Sequence, residues 1–220
     1  MPEFPEPEER NALAEDCRRC PALAGSRTRI AWGNGPRDAD LVVVGEAPAA
    51  GDPDADRWRG GNHTGMAYTS RHSGRQVRRL VADLPDEAYY TNAVKCFPAD
   101  PGDPTDNREP TAEERANCRP YLAAEIRDVA PEAVLATGKH ATQSVLAAAD
   151  RSLAGGFLDA VLDPVACPEL GTTLVPVLHP SYEAVWRARL GYEDRADYVA
   201  AVRAALPSGG RRDSGDEDSG

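Results

Sequence analysis

A chain of 220 residues is long enough for one domain with a substantial hydrophobic core and too short for two ordinary domains with a linker. It has no apolar run of membrane-spanning length and no signal-peptide pattern at its start, so we expect a cytoplasmic protein with no membrane partner. The net charge of −11 by itself argues against nucleic acid as a partner, because phosphates repel an acidic surface.

The basic residues are unusual in kind. Lys95 and Lys139 are the only lysines, and arginine supplies the rest of 25 basic residues against 36 acidic ones. A surface this acidic stays hydrated in concentrated salt, which also screens its self-repulsion. The composition therefore predicts a halophilic protein, with an ordinary acidic protein from a GC-rich genome as the alternative.

Helical and extended patterns alternate along the chain. Residues 8–16 are expected to form a helical turn or two, which Pro21 ends. Apolar runs rich in β-branched residues predict strands at residues 41–44, 88–92, 133–137 and 173–178. Helical spacing and capping residues predict helices at residues 75–84 with Ser73 as N-cap, from Thr111 to about Val129, after Gly138 through Leu146, and at 194–206.

Two segments carry no regular pattern. Residues 49–69 form a predicted loop of a length that usually serves a function, because a long irregular segment needs something to stabilise it. Residues 208–220 contain only glycine, serine and charged residues and are predicted to be a disordered acidic tail.

This order of elements predicts an α/β fold, a single domain over residues 1–207 with a central four-stranded parallel sheet flanked by helices on both faces. The carboxyl ends of parallel strands meet at one edge, where open sheets bind their ligands. Polar residues stand at three of these ends, namely Glu46, Asn92 and His179. We therefore predict a site that gathers them. For Glu46 alone, the alternative is a carboxylate that ends a strand in solvent.

The chain contains five cysteines, an odd number that does not suit a disulfide framework. Cys17 and Cys20 have the spacing of two thiolates at one metal centre, and Cys96 and Cys118 are predicted to return to the same end of the molecule. Four thiolates suit either zinc or an iron–sulfur cluster. The alternative is that Cys96 and Cys118 are small core residues. Cys167 is predicted to be an unpaired thiol.

After the cysteine pair at positions 17 and 20, the chain contains four short motifs in this order: Gly45-Glu46-Ala47-Pro48, Thr91–Cys96, Asn117–Leu122 and His179–Tyr182. These motifs and the cysteine pair resemble, in the same order, the signature segments of the iron–sulfur uracil-DNA glycosylases, and the match covers most of residues 17–206. That family implies a [4Fe-4S] cluster, whose four ligands carry over to Cys17, Cys20, Cys96 and Cys118. It also implies that the cluster organises a DNA-contacting loop.

Features of two branches of that superfamily are mixed in this chain. Gly45–Pro48 and Asn92 resemble the fourth family, whereas Gly61–Thr69 is similar to the fifth. The fourth family commonly has phenylalanine at the position of Tyr68. The fifth commonly has an acidic residue near Arg71, so a role that depends on that acid does not carry over.

The resemblance implies a DNA repair enzyme that flips uracil out of the base stack and hydrolyses its N-glycosidic bond, leaving an abasic site. Tyr68 is then expected to stack on the base and to exclude the methyl group of thymine. Asn92 is expected to pair with the O4/N3 edge, and backbone amides after Glu46, including that of Ala47, to hold O2. His179 is expected to donate a hydrogen bond to the leaving uracil anion, and Glu46 either to position water or to stabilise the sugar cation.

Local clusters of positive charge allow DNA binding despite the net negative charge of the chain. Arginines cluster on the helix after the loop and again after the His179 segment, at positions 71, 75, 78, 79, 187 and 189. We expect Arg75, Arg187 and Ser181 to contact uracil-containing DNA, single- or double-stranded, as part of a monomeric protein.

Three alternatives stay open. Asp52 and Asp54 compete with Glu46 for the handling of water. A broader glycosylase would also remove hypoxanthine or xanthine. A non-catalytic nucleic-acid-binding module would use the four cysteines to hold structural zinc. A serine hydrolase is disfavoured, because the chain has no Gly-x-Ser-x-Gly segment.

Overall fold

The computed structural model describes residues 2–207, so the tail predicted at residues 208–220 lies outside the described part of the chain. In the described part, no helix is both long and apolar enough to cross a membrane.

Strands form a single mixed sheet in the order β1-β2-β4-β3-β5-β7-β6. They are β1 (Arg10–Asn11), β2 (Gly33–Asn34), β3 (Leu41–Gly45), β4 (Ala88–Asn92), β5 (Ala133–Thr137), β6 (Val165–Cys167) and β7 (Thr172–Val177). The neighbours β4, β3, β5 and β7 run parallel, which confirms the predicted four-stranded core of the sheet. The three antiparallel edge strands β1, β2 and β6 are additions to that prediction. Each has only two or three residues, too few to show a period of two.

Within residues 2–207 the α-helices are α1 (Pro21–Ser26), α2 (Gly61–Thr64), α3 (Ser73–Ala82), α4 (Ala112–Val129), α5 (Lys139–Ala148), α6 (Glu183–Arg189) and α7 (Arg195–Ala205). The predicted start of α4 is confirmed, because Thr111 and Glu114 form a reciprocal capping box.

Two predicted helix boundaries are wrong. Residues 8–16 contain a 3-10 turn at Pro7–Glu9 followed by β1, and Pro21 begins α1. Proline is tolerated at a first helical position, because the N–H that it lacks would have no partner in the helix. Ser73 is not the N-cap of α3 but its first residue. In the first turn of α3, the backbone N–H of Gly74 donates to the hydroxyl oxygen of Ser70 at 3.1 Å.

The core lies on both faces of the sheet, as predicted for helices on two sides. Val42 and Val44 of β3 pack in a cluster with α4 and α5 side chains such as Leu122 and Val145. Leu41 and Val43 point to the opposite face, where α3 and α7 supply a second cluster. The alternation follows from the two-residue period of a strand, and burial of both faces explains why the run is apolar throughout.

Candidate active site

A pocket opens at the carboxyl ends of the central strands. The structure brings five of the predicted residues together in its lining, namely Glu46, Ala47, Tyr68, Asn92 and His179. They come from the turn after β3, the loop before α3, the end of β4 and the turn after β7. Parallel pairing of the strands places these distant segments side by side.

Gly45, Tyr68 and Asn92 form one side of the pocket, which we call the inner wall. Gly45 of β3 pairs with Asn92 of β4. A Cβ atom on Gly45 would lie 2.8 Å from the Tyr68 hydroxyl oxygen and would also overlap Asn92 Oδ1, so only glycine lets both side chains meet here. Asn92 is 4% exposed, and its side-chain amide makes no hydrogen bond within residues 2–207. This amide is therefore free to bind a ligand in the pocket.

Tyr68 is held in a backbone conformation that is uncommon outside glycine, with φ of +53°. Arg78 Nε donates to the Tyr68 carbonyl at 3.2 Å, and Arg78 Nη2 donates to Asn34 Oδ1 at 2.6 Å. Asn34 Nδ2 in turn donates to the carbonyl of Ala67 at 2.8 Å. The guanidinium carbon of Arg78 also lies 3.9 Å from the ring centroid of Tyr90. These contacts keep Tyr68 in place against its backbone strain.

The structure assigns Arg78 a position other than the predicted one. The arginine cluster of the sequence includes it, yet its half-buried guanidinium contacts Tyr68, Asn34 and Tyr90, and burial lowers its pKa. Arg78 is four residues after the buried Gly74 and three before the buried Val81, so it shares their face of α3. That spacing is the sequence signal that identifies it as an inward-facing residue.

The Tyr68 hydroxyl forms a hydrogen bond within the protein. It lies 2.6 Å from Thr137 Oγ1, which itself donates to the carbonyl of Val44 at 3.3 Å. Burial raises the pKa of this hydroxyl, so it stays neutral. The ring of Tyr68, rather than its hydroxyl, is the part that can contact a bound base.

Glu46 and His179 form the other side of the pocket, which we call the outer wall, since both also line an adjoining groove. Nδ1 of His179 accepts the backbone N–H of Ser181 at 3.2 Å, which leaves the proton of a neutral ring on Nε2. Burial lowers the pKa of His179, so the neutral form is favoured. The ring lies over Gly138, where a Cβ atom would approach to 3.1 Å of His179 Cβ.

Glu46 is half-buried, and its carboxylate makes no hydrogen bond within residues 2–207. Burial raises its pKa, Glu109 adds to the rise, and a positive charge on His140 opposes it. His140 Nε2 lies 3.3 Å from Glu109 Oε1, and both residues line the adjoining groove together with Glu46. Glu46 is thus a carboxylate with a raised pKa and no protein partner to fix it.

Two predicted rivals of Glu46 lie elsewhere, and several residues that the sequence does not indicate line the pocket, Asn107 among them. Asp52 and Asp54 are exposed and do not line the pocket. They belong to a turn in which Asp52 Oδ1 accepts the Asp54 amide at 3.0 Å. Asn107 does line the pocket, because a bridge between Ala99 and Asn107 folds the loop before α4 over it. Nothing in the local sequence around Asn107 signals this position.

The four cysteines predicted as ligands gather beside β4. Cys96 and Cys118 are buried in one apolar cluster, and Cys17 and Cys20 pack against it. Burial, with smaller contributions from the neighbouring Cys118 and Cys17, raises the pKa of Cys96 to about 11, and Arg27 opposes the rise. Among residues 2–207, no group of three or more His, Cys, Asp or Glu side chains is arranged to hold a metal ion. Cys167 lies apart, buried in β6 within the cluster under α4 and α5.

Polar groups of the protein donate to these sulfurs. Arg27 Nη1 donates to Cys96 Sγ at 3.4 Å, and Asn117 Nδ2 donates to Cys20 Sγ at 3.4 Å. Hydrogen bonds of this kind stabilise thiolate charge. Two of the four sulfurs, one buried and one half-buried, therefore have a side-chain N–H donor beside the apolar cluster.

The predicted DNA-contacting residues fall on two nearby parts of the surface. Ser181 and Arg187 line a shallow groove with Arg79, and an ion pair of 3.3 Å joins Arg187 Nη1 to Glu183 Oε1. Arg75 lies beside Trp58, with 5.5 Å between the guanidinium carbon and the ring centroid. All four basic or hydroxyl side chains lie on the segments that follow the pocket residues Tyr68 and His179.

Comparisons with known proteins identify the family to which the chain belongs. The family model described as the uracil DNA glycosylase superfamily matches residues 32–205. The chain is 29% identical to a type-5 uracil-DNA glycosylase of Pyrobaculum aerophilum, over 88% of this chain and 90% of the relative. It is 32% identical to a type-4 uracil-DNA glycosylase of Thermotoga maritima, over 76% and 77%. A type-5 relative from Mycobacterium bovis is 29% identical, over 83% and 75%. The chain thus belongs to the uracil-DNA glycosylase superfamily.

Proposed function

We propose that this protein excises uracil from DNA by hydrolysing the N-glycosidic bond, leaving an abasic site. One observation carries the proposal: Tyr68, Asn92 and His179 line one pocket, and they come from three separate segments. Their aromatic ring, free amide and neutral imidazole are the groups needed to hold a flipped base and to release it as an anion.

Recognition of the base is assigned to the inner wall. The Asn92 amide both donates and accepts, so it can donate to O4 of uracil and accept from N3–H. Cytosine presents the opposite pattern at these positions and would leave the buried amide unpaired, which is costly. The Tyr68 ring beside the base limits the space at C5, where thymine carries a methyl group.

Bond cleavage is assigned to the outer wall. As the glycosidic bond breaks, the sugar gains oxocarbenium character and uracil becomes an anion. His179 has its proton on Nε2, from which it can donate a hydrogen bond to that anion. Glu46 is suited either to positioning the attacking water or to stabilising the sugar cation, because its carboxylate is not held by another residue.

The test is release of uracil from a labelled oligonucleotide, followed by alkaline cleavage at the abasic site. We expect release by the wild type, and loss of at least about a hundredfold in His179→Ala, since a single donor to a developing oxyanion contributes on that scale. His63→Ala is the matched control, because His63 lies on α2 and lines neither the pocket nor the adjoining groove. A wild type that releases no uracil from single- or double-stranded DNA would refute the proposal.

The same assay defines the base spectrum. Oligonucleotides with hypoxanthine, xanthine or thymine in place of uracil separate a uracil-specific enzyme from a broader one. We expect uracil to be preferred and thymine to be refused, because of the Asn92 amide and the Tyr68 ring.

We also propose a [4Fe-4S] cluster as the cofactor, held by Cys17, Cys20, Cys96 and Cys118. What supports the proposal is that Cys96 and Cys118 lie in one apolar cluster against which Cys17 and Cys20 pack, and that Arg27 and Asn117 donate N–H groups to two of the sulfurs. Four thiolates would also suit a single zinc ion, so iron and sulfide content separates the two cofactors. When bound, the cluster supplies a structural link between the segment before α1, the turn after β4 and helix α4.

Anaerobic purification followed by iron and sulfide analysis tests the cofactor. We expect a brown protein and loss of visible absorbance in Cys20→Ser. Cys167→Ser is the matched control and should keep its colour, because Cys167 lies in a different core cluster. A colourless wild type with one zinc per chain would contradict the cluster.

We assign DNA contacts to Arg75, Arg187 and Ser181, on an otherwise acidic and halophilic protein. Few basic contacts mean few released counterions, so the affinity for DNA should fall only gently as salt rises. Binding measured over a range of salt concentrations tests this, and a steep slope like that of a strongly basic protein would contradict it.

A further inference from the structure

A buried lysine and a buried glutamate form an ion pair directly behind Asn92. Lys95 is 1% exposed and Glu125 is 0% exposed. The Lys95 ammonium donates to Thr91 Oγ1 at 2.6 Å, to the carbonyl oxygen of Asn92 at 2.6 Å, and to Glu125 Oε2. All three of its protons are thereby used, so the ammonium has a single defined position.

Glu125 is equally well satisfied. Its Oε1 accepts the backbone N–H of Gly33 at 3.0 Å and the hydroxyl of Tyr89 at 3.4 Å, while Oε2 also accepts from Thr91 Oγ1 at 2.6 Å. The pair therefore joins β2, the end of β4 and helix α4 through polar contacts that leave no group unpaired.

Fold stability alone does not account for this pair. Removing two charges from water is expensive, and apolar residues of similar volume often replace a buried pair with no loss of stability. An apolar pair would lack the contacts to Gly33, Tyr89 and Thr91 and also the one to the Asn92 carbonyl, and only this last contact reaches a residue that lines the pocket. Asn92 is the last residue of β4, and its amide is the group proposed to pair with the base.

The backbone of Lys95 extends the same network to the cysteines. Burial raises the pKa of the Cys118 thiol and the backbone amide of Lys95 opposes that rise, while the Lys95 carbonyl accepts the N–H of Ala31 at 2.7 Å. One residue therefore contacts both the inner wall of the pocket and a cysteine of the proposed cluster.

We propose that Lys95, with Glu125 as its counter-ion, is a positioning residue that holds the Asn92 backbone so that the Asn92 amide faces the flipped base. This inference rests on the proposed function and adds a residue to its recognition machinery. Lys95 does not touch the base. Its effect on the reaction passes through Asn92.

The test is a double-mutant cycle that compares Lys95→Met/Glu125→Gln with Asn92→Ala. The paired substitution removes both charges together, and glutamine keeps an acceptor for Gly33 and Tyr89, so no unpaired charge is left in the core. We expect an unchanged melting temperature and visible absorbance, and a kcat/KM for uracil lower by about tenfold, which corresponds to about 1.4 kcal/mol. In the Asn92→Ala background the same pair of substitutions should change kcat/KM by less than about twofold.

Equal losses in both backgrounds would overturn the inference, because a merely structural pair would act independently of Asn92. Titration with free uracil repeats the cycle without catalysis. A wild type that binds uracil but releases none would contradict the proposed function alone. Unchanged uracil affinity in Lys95→Met/Glu125→Gln would contradict the role of Lys95 alone, and a wild type that neither binds nor releases uracil would overturn both.

Discussion

The two walls of the pocket are built in opposite ways. On the inner wall, Asn92 is braced from behind by Lys95, and Tyr68 is braced by Arg78. On the outer wall, His179 is oriented by one backbone amide, and the Glu46 carboxylate makes no hydrogen bond within residues 2–207. Both outer-wall residues also line the adjoining groove.

The contrast follows from what each wall is proposed to do. Rejecting a wrong base requires donors and acceptors that cannot move to meet it, so that a mismatch leaves them unpaired. Handling water and a changing sugar charge requires groups that solvent can reach and whose pKa values lie near the working pH. In this proposal the rigid inner wall selects the base, and the more open outer wall carries out bond cleavage.

The largest effect is expected from crowding the inner wall. Gly45→Ala places a methyl group against Asn92 Oδ1 and the Tyr68 hydroxyl, so both side chains must shift. A displacement of about 1 Å in a positioned group costs about a hundredfold in rate, and we expect kcat/KM to fall by at least that much. Gly25→Ala is the control, because a Cβ atom there meets nothing within 4 Å. A fully active Gly45→Ala would show that the inner wall is not rigid.

The outer wall should respond to pH. Burial raises the pKa of Glu46 and lowers that of His179, and the ionised carboxylate and the neutral imidazole are the proposed active forms. Activity should therefore rise with pH through both pKa values, one above the ordinary Glu value of about 4.3 and one below the ordinary His value of about 6.5. Glu46→Gln should lower kcat/KM about tenfold and remove one of the two inflections, leaving that of His179.

Initial rates of uracil release between about pH 4 and pH 8 measure these profiles. A Glu46→Gln profile with the same height and shape as that of the wild type would remove Glu46 from the mechanism.

Weakening the brace of Tyr68 should have a smaller effect. Arg78→Met removes the donors to the Tyr68 carbonyl and to Asn34, and the loss of about 1 kcal/mol from one such bond lowers kcat/KM about fivefold. The salt dependence of DNA binding should not change, because the Arg78 guanidinium is held by Tyr68, Asn34 and Tyr90 rather than by phosphate. Arg79→Met is the control, because it removes an exposed arginine of the same helix that does not contact Tyr68 or Asn34. A shallower salt slope in Arg78→Met would mean that Arg78 contacts phosphate after all.

The smallest effect is expected from Tyr68→Phe. This change removes the hydrogen bond to Thr137 but keeps the ring that limits the space beside the base. We expect kcat/KM within about twofold of the wild type and a loss of about 1 kcal/mol in the free energy of unfolding. Urea denaturation and uracil release measure the two quantities. An activity as low as that of Gly45→Ala would assign the hydroxyl a direct role in the reaction.

Local patterns in the sequence predict much of this molecule. The four central strands follow from apolar runs, because a parallel strand buried on both faces must be apolar throughout. The start of α4 follows from Thr111 and Glu114, whose reciprocal bonds need only a spacing of three residues. The edge location of Glu46, Asn92 and His179 follows from the strands, since parallel strands end together.

Only the tertiary structure decided which polar groups pair over long distances in the sequence. Lys95 and Glu125 are 30 residues apart, and Arg78 and Asn34 are 44 apart, so no local period relates them. A charged side chain in a sequence is expected in solvent, and its burial becomes possible only where distant elements supply its partners. The sequence by itself determined the four central strands, the edge at which they end and the residues that stand there. The tertiary structure decided which charges lie behind that edge, because their partners meet only when the chain has folded.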